Sequence, residues 1–194
     1  MSNELVYKNL TPEELSDFAV KTFGKNLPSD IEEILKIIKK DQKILEIGCG
    51  TGRIGNVLIG KGFDYTGLER YKNYFDYFKK RENNANLILS TFEDFDSEEK
   101  FDVILFSWTV IGDFNFETQK ATLKKTYNLL NKGGFCILDN PSMNQKYNQT
   151  KHYEPTPFYF ENWKKFLENL GFKCESKLYK TKTNRERELT ILVK

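Results

Sequence analysis

Ile44-Leu45-Glu46-Ile47-Gly48-Cys49-Gly50-Thr51-Gly52 is the stretch on which the reading of the whole chain turns. Its first half is a short, mostly apolar strand, and its second half is a glycine cluster that leads into a helix. A ligand that must approach the backbone closely needs glycine at such a turn, since a Cβ would hold it away. The N–H groups of the turn and of the helix start have no intrahelical partners and are offered to the ligand.

The second half of the signal lies downstream. Seventeen residues past Gly52, the next strand closes on Gly67-Leu68-Glu69. An acid at that strand tip, about 20 residues after the loop, is placed to accept hydrogen bonds from a ribose diol. Loop, strand context and acid together point to an adenosine-containing cofactor.

Gly50-Thr51-Gly52-Arg53-Ile54-Gly55 also satisfies G-x-G-x-x-G, so NAD is the competing cofactor. Two features argue against it. Glu46 lies at the loop, where a pyrophosphate would be repelled and a ligand carrying an ammonium group would be favoured. The tail of the chain also departs from the parallel strands that continue an open NAD fold.

Working outward, strands and helices alternate. Helices are expected over 53–60, 71–82 and 116–130, and strands over 64–68, 86–90, 101–106 and 135–138. Asn131-Lys132-Gly133-Gly134 reads as the turn that stops the third of these helices. This rhythm implies an α/β fold, doubly wound, with a mostly parallel sheet and helices on both faces. After a helix over 158–170, residues 173–180 and 188–193 read as strands with only a polar turn between them. They must pair as an antiparallel C-terminal hairpin, completing a seven-stranded sheet.

Upstream, Thr11-Pro12-Glu13-Glu14 reads as a helix start running to Phe23, where Gly24 stops it. Ser29-Asp30-Ile31 opens a further helix with Ile31, Ile34, Leu35 and Ile38 on one face. Residues 1–28 are thus expected to form a helical cap or lid segment, and 29–194 the cofactor-binding domain.

Composition narrows the class. A 39% hydrophobic fraction supports a core and argues against disorder. No run approaches the length of a membrane span. The polar start and three cysteines without metal or C-x-x-C spacing fit a reduced, cytoplasmic protein with no metal site. Residues 143–194 hold eleven Lys/Arg against six Asp/Glu. That basic quarter is either a solvated face or a surface for acidic partners.

With these residues in hand, the chain resembles a class I, Rossmann-like methyltransferase dependent on S-adenosylmethionine (SAM). The resemblance covers roughly residues 30–194. The segment 44–52 is similar to that family's first motif, Tyr65-Thr66-Gly67-Leu68-Glu69 to its second, and Thr91-Phe92-Glu93-Asp94-Phe95 to its third, with Thr91 where the family often has Asp. Phe101 to Trp108 resembles its fourth strand and the turn that follows. Leu129 to Gly134 resembles the approach to strand five, and the family's seventh strand enters antiparallel beside the fifth.

The resemblance implies roles. Glu46 would orient the loop or face the methionine ammonium, and Gly48, Cys49 and Gly50 would line the methionine through their backbone. Glu69 would bind the ribose, with Arg70, Thr91 and Phe92 around the adenine and the Ser107 carbonyl toward the ammonium. The acceptor would meet Trp108, which could equally be a core residue, and Tyr153.

Asp113 and His152 are the candidate bases, if a base is used at all, since the sulfonium already activates the methyl. Asp113 is alternatively the cap of the helix over 116–130, and His152 an exposed loop residue. The expected acceptor is a small molecule methylated on oxygen or nitrogen by a monomer or homodimer. A tRNA or protein target, or a non-catalytic SAM-binding subunit, stays open. Asn140-Pro141-Ser142 follows strand five and lacks the second Pro and the Tyr of the DNA amino-methyltransferase signature, so DNA is set aside.

Overall fold

The computed structural model describes residues 3–145 and 155–194. Strands β1 (Lys43–Ile47), β2 (Asp64–Glu69), β3 (Asn86–Leu89), β4 (Phe101–Phe106), β5 (Leu130–Pro141), β6 (Lys173–Lys180) and β7 (Glu186–Val193) form one sheet in the order β3-β2-β1-β4-β5-β7-β6. The pairs from β3 to β5 are parallel, and β7 runs antiparallel to both of its neighbours. The hairpin expected from the tail is therefore β6–β7, and it joins the sheet through β7 beside β5.

Strand alternation sorts side chains onto two faces. Leu45, Ile47, Ile104 and Phe106 pack with Leu123, Trp163 and Leu167, which come from α6 (Phe116–Leu129) and α7 (Phe160–Asn169). Ile44, Val103 and Leu105 face the other way, onto α3 (Ser29–Leu35), α4 (Arg53–Gly60) and α5 (Lys72–Arg81) through Ile31, Ile34, Ile54, Leu58 and Phe78. The order reverses between β1 and β4. The carboxyl ends of those two strands therefore flank the crevice where an open α/β sheet binds its ligand.

Helix α2 (Pro12–Phe23) starts as its sequence predicts. Thr11 Oγ1 accepts from Glu14 N at 3.2 Å, Thr11 N donates to Glu14 Oε2 at 2.8 Å, and Gly24 at φ +93° ends the helix. A further helix, α1 (Asn3–Asn9), precedes it.

The main departure is in β5, which begins at Leu130 and not at Phe135. Leu130 pairs with Phe101 and Phe135 with Val103, so the four residues read as a turn form an excursion within the strand. Gly133 N and Gly134 O bond to the Lys194 backbone, which keeps the excursion in the sheet.

One buried ion pair ties the β5 end of the crevice together. Arg187 on β7 donates through Nε to Asp139 Oδ1 and through Nη2 to Oδ2, both at 2.8 Å. Asp139 also accepts from Tyr179 Oη on β6 at 2.8 Å and from Trp108 N after β4 at 3.0 Å. Arg187→Ala would leave Asp139 buried without its charge partner. Urea unfolding should show a loss of about 3–5 kcal/mol, as for other broken buried pairs; a loss under about 1 kcal/mol would mean that the pair does not hold this end of the sheet.

Candidate active site

The glycine loop adopts the backbone its sequence anticipates. Gly48, Gly50 and Gly52 all have positive φ, at 67°, 55° and 81°, where a Cβ is strained. A Cβ on Gly52 would also run into the Phe78 ring. Gly48 N and Cys49 N both donate to Leu68 O, at 2.8 and 3.0 Å, so the loop hangs on the tip of β2. Gly55, which completed the dinucleotide pattern, has a structural cause: a Cβ there would meet Phe78 and Tyr65 at 2.6 and 2.7 Å.

Glu69 closes the loop from the other side. Its carboxylate accepts from Gly50 N and from Tyr71 N, each at 2.8 Å. Burial raises its pKa, and the amides of Tyr71, Gly50 and Arg70 partly offset the rise. A carboxylate can accept more bonds than these, so the acid that positions the loop still has capacity for a ribose diol.

These groups line a cavity of about 330 Å³ at the carboxyl ends of β1, β2 and β4. Residues from α1 and α2 cover one side of it: Tyr7, Leu15 and Ala19. The cover is bonded to the body. Tyr74 Oη donates to Tyr7 O and Leu10 O at 2.8 and 3.1 Å, Ser16 Oγ donates to Thr51 Oγ1 at 3.3 Å, and Tyr7 stacks on Tyr71 at 5.7 Å.

Glu46 points to the α4 side of the sheet, at the floor of this cavity. Tyr65 Oη donates to its Oε2 at 2.6 Å and Ser107 Oγ to its Oε1 at 3.4 Å. Burial raises its pKa from the ordinary 4.5 to about 7, against the pull of Tyr65 and Arg53. Past β4 the chain turns sharply: Trp108 and Thr109 have φ of +47° and +69°, rare for residues with a Cβ. Both amides are taken by Asp139, Trp108 N by its carboxylate and Thr109 N by its carbonyl.

The structure brings most of the sequence-derived candidates into one cavity. Glu46, Gly48, Cys49, Gly50, Glu69, Arg70, Phe92, Ser107, Trp108 and Asp113 all line it. Arg70 lies over the Tyr71 ring at 4.7 Å and donates to its hydroxyl. The Ser107 carbonyl already accepts from Val110 N at 3.2 Å.

Thr91 is not on the cavity wall: its hydroxyl donates to Asp94 Oδ2 and accepts from Asp94 N, and Ser90, Phe92 and Glu93 line the wall there instead. The helix cap considered for Asp113 belongs to Asn115, whose Oδ1 accepts from Thr118 N at 2.9 Å. Asp113 ends a short 3-10 turn over Val110–Asp113. His152 and Tyr153 lie outside the described residues. No group of acidic, Cys or His side chains among the described residues could hold a metal.

Sequence reasoning missed Arg53, Tyr65 and Tyr71. Arg53 had a readable signal, because a cation in the first turn of a helix opposes the helix dipole. The two tyrosines had none, since aromatics on a strand and at a helix start read as core.

Strand order, glycine loop and strand-tip acid define a class I, SAM-dependent methyltransferase domain. A family model described as a methyltransferase domain matches residues 38–187, and the chain belongs to that family. A ubiquinone biosynthesis O-methyltransferase of Rickettsia conorii is 30% identical over 41% of this chain and 28% of its own length. A ribosomal RNA small subunit methyltransferase A of Mesomycoplasma hyopneumoniae is 34% identical over 43% and 36%. A probable SAM-dependent methyltransferase TehB of Haemophilus influenzae is 26% identical over 88% of this chain and 61% of its own length. The chain thus matches less than two thirds of each of these relatives.

Among solved structures, a TehB-like SAM-dependent methyltransferase from Corynebacterium glutamicum superposes with a TM-score of 0.70 at 19% identity, covering 94% of this chain and 97% of its own. A SAM-bound amino pentose methyltransferase from Micromonospora echinaspora superposes at 0.69 and 16% identity, covering 91% and 96%. At these identities the likeness is one of fold.

The Glu46 environment has a consequence for stability. A raised carboxyl pKa means that the folded protein keeps a proton that the unfolded chain releases near 4.5. Between there and about 7 the folded state binds more protons, so this residue's contribution falls as pH rises. The fall should approach about 3 kcal/mol. Urea unfolding at pH 5 and pH 8 should show it as a difference between wild type and Glu46→Gln, whose neutral amide does not titrate. Identical pH dependence in the two proteins would mean that Glu46 is not held in a desolvated site.

Proposed function

We propose that this domain transfers the methyl group of SAM to an oxygen or nitrogen of a small-molecule acceptor. The observation that carries the reading is the cavity itself. It joins the glycine loop and Glu69 to a wall built by Trp108, Val110 and Phe114, and α1 and α2 cover it as a lid. An acceptor entering such a space would be small and largely enclosed.

The residues fit the cofactor's parts. Glu69 would take the ribose diol, Phe92 and Arg70 would flank the adenine, and the backbone at Gly48 to Gly50 would cradle the methionine. Glu46 would face the ammonium. When bound, SAM supplies a methyl already activated by its sulfonium. The protein's part is then to bring the acceptor atom in line and to exclude water. Asp113 is the candidate for removing a proton from a neutral acceptor.

An RNA target is the second reading, prompted by the basic tail and by the ribosomal RNA methyltransferase among the relatives. Part of that basic charge is spent internally. Lys177 pairs with Glu33 at 2.8 Å, Lys182 with Glu32 at 2.7 Å, and Arg187 is buried on Asp139. This weakens the case for a polyanion-binding face.

Incubation with methyl-labelled SAM and a cell extract should put the label into the low-mass fraction. Glu69→Ala should bind SAM about 100-fold more weakly by calorimetry, since it loses charge-assisted hydrogen bonds and frees the loop. Label in RNA or protein would overturn the small-molecule reading. Failure of the wild-type protein to bind SAM, or tighter binding of NAD, would overturn the class of chemistry.

A further inference from the structure

Arg53 carries a charge that the fold does not call for. It opens α4, where the helix dipole disfavours a cation, yet its guanidinium is largely buried at the cavity wall. Asp30, itself fully buried, holds it end-on: Nη1 donates to Oδ1 at 2.8 Å and Nη2 to Oδ2 at 2.6 Å. The Phe23 ring lies 4.6 Å from Cζ and the Trp108 ring 5.8 Å.

A guanidinium has more N–H donors than one carboxylate can take. Asp30 uses one hydrogen on each terminal nitrogen. That leaves Nε–H and the neighbouring Nη–H, which run parallel at the spacing of a carboxylate's two oxygens. Among the described residues, no acceptor takes this second fork.

Arg187 provides the internal contrast. It is buried more deeply, its side chain 5% exposed against 17%; its Nε and Nη2 are both bonded to Asp139, its Nη2 also reaches Thr109 Oγ1 at 3.2 Å, and it does not line the cavity. Asp139 fills the Nε–Nη2 fork of Arg187, whereas the equivalent fork of Arg53, which lines the cavity, is unfilled. A charge-assisted, bidentate pair on this fork would be stronger than a neutral hydrogen bond, so a ligand that fills it gains more than surface contact.

We infer that Arg53 reads the methyl acceptor, and that the acceptor is a small molecule bearing a carboxylate or similar planar oxyanion. That group would sit on the free fork, with an apolar body against Trp108 and Phe114. The inference rests on the small-molecule reading above. The cofactor's own methionine carboxylate offers the same chemistry, so the experiment must separate the two sources.

Benzoate and its uncharged isostere benzamide can be titrated calorimetrically into protein saturated with S-adenosylhomocysteine, whose carboxylate is then already in place. Benzoate should bind at least about tenfold more tightly than benzamide. Arg53→Lys keeps a charge opposite Asp30 but has no fork. It should abolish that preference while holding S-adenosylhomocysteine affinity within about threefold of wild type. If this variant does not fold, the wild-type comparison decides alone.

Benzoate binding no tighter than benzamide, or neither binding, overturns the inference. So does an Arg53→Lys protein that loses S-adenosylhomocysteine as strongly as benzoate, which assigns the fork to the cofactor. These outcomes leave the small-molecule reading standing if the methyl label still enters low-mass compounds. Label in RNA or protein removes that reading first.

Discussion

The Asp139 carboxylate is the point on which the β5 end of the crevice depends. Four separate parts of the chain meet there: β5 through Asp139 itself, β6 through Tyr179, β7 through Arg187, and the turn after β4 through Trp108 N. That turn places two residues with side chains at positive φ, at a cost of about 1–2 kcal/mol each. The backbone tolerates this because both amides are taken by one rigid residue, and its carboxylate is fixed by a bidentate guanidinium. Without the antiparallel β7 there would be no Arg187 at that depth. The strand that distinguishes this sheet from a dinucleotide fold is therefore also the one that shapes the wall at Trp108.

Phe23 links this end to the cover of the cavity. It closes α2, and both Arg53 and Arg187 lie over its ring, at 4.6 and 5.1 Å from Cζ. Two guanidiniums close to one ring would repel, but each has its own buried carboxylate, Asp30 or Asp139. The arrangement is two neutral pairs gripping a single aromatic. It fixes the end of α2 to both halves of the sheet, while Thr51 and Tyr74 hold its beginning and the turn before it. The cover is thus attached at both ends, and Leu15 and Ala19 of its middle face the cavity.

The glycine-loop half of the cavity was legible because its information is local. Gly48, Gly50 and Gly52 adopt positive φ to turn from strand to helix, and Glu69 sits at the tip of the adjacent strand. Both requirements leave marks at fixed spacing; strand β4 was readable from its apolar run, and the β6–β7 hairpin from the short polar turn that leaves no room for a helix. The β5 excursion was not, because Gly133 and Gly134 look like a stop signal until Lys194, far away in sequence, supplies their partner. Thr91 was misleading for a related reason. Its position in the third segment suggested the adenine, but a neighbouring Asp94 captures its hydroxyl in a local turn.

The half of the cavity around Arg53 and Trp108 was illegible because it is assembled from contacts that no spacing encodes. Asp30 and Arg53 come from different helices, and Trp108 takes its direction from Asp139 on another strand. What the sequence does contain is a conflict: a cation at a helix start and an acid at a glycine loop, each unfavourable where it stands. Glu46 is held protonated into the neutral range by burial, and Arg53 is held by Asp30 with part of its donor set unspent. Local rules broken in this way are expected at functional sites. In this chain the two broken rules lie on the wall of the same cavity, one at the cofactor loop and the other beside Trp108.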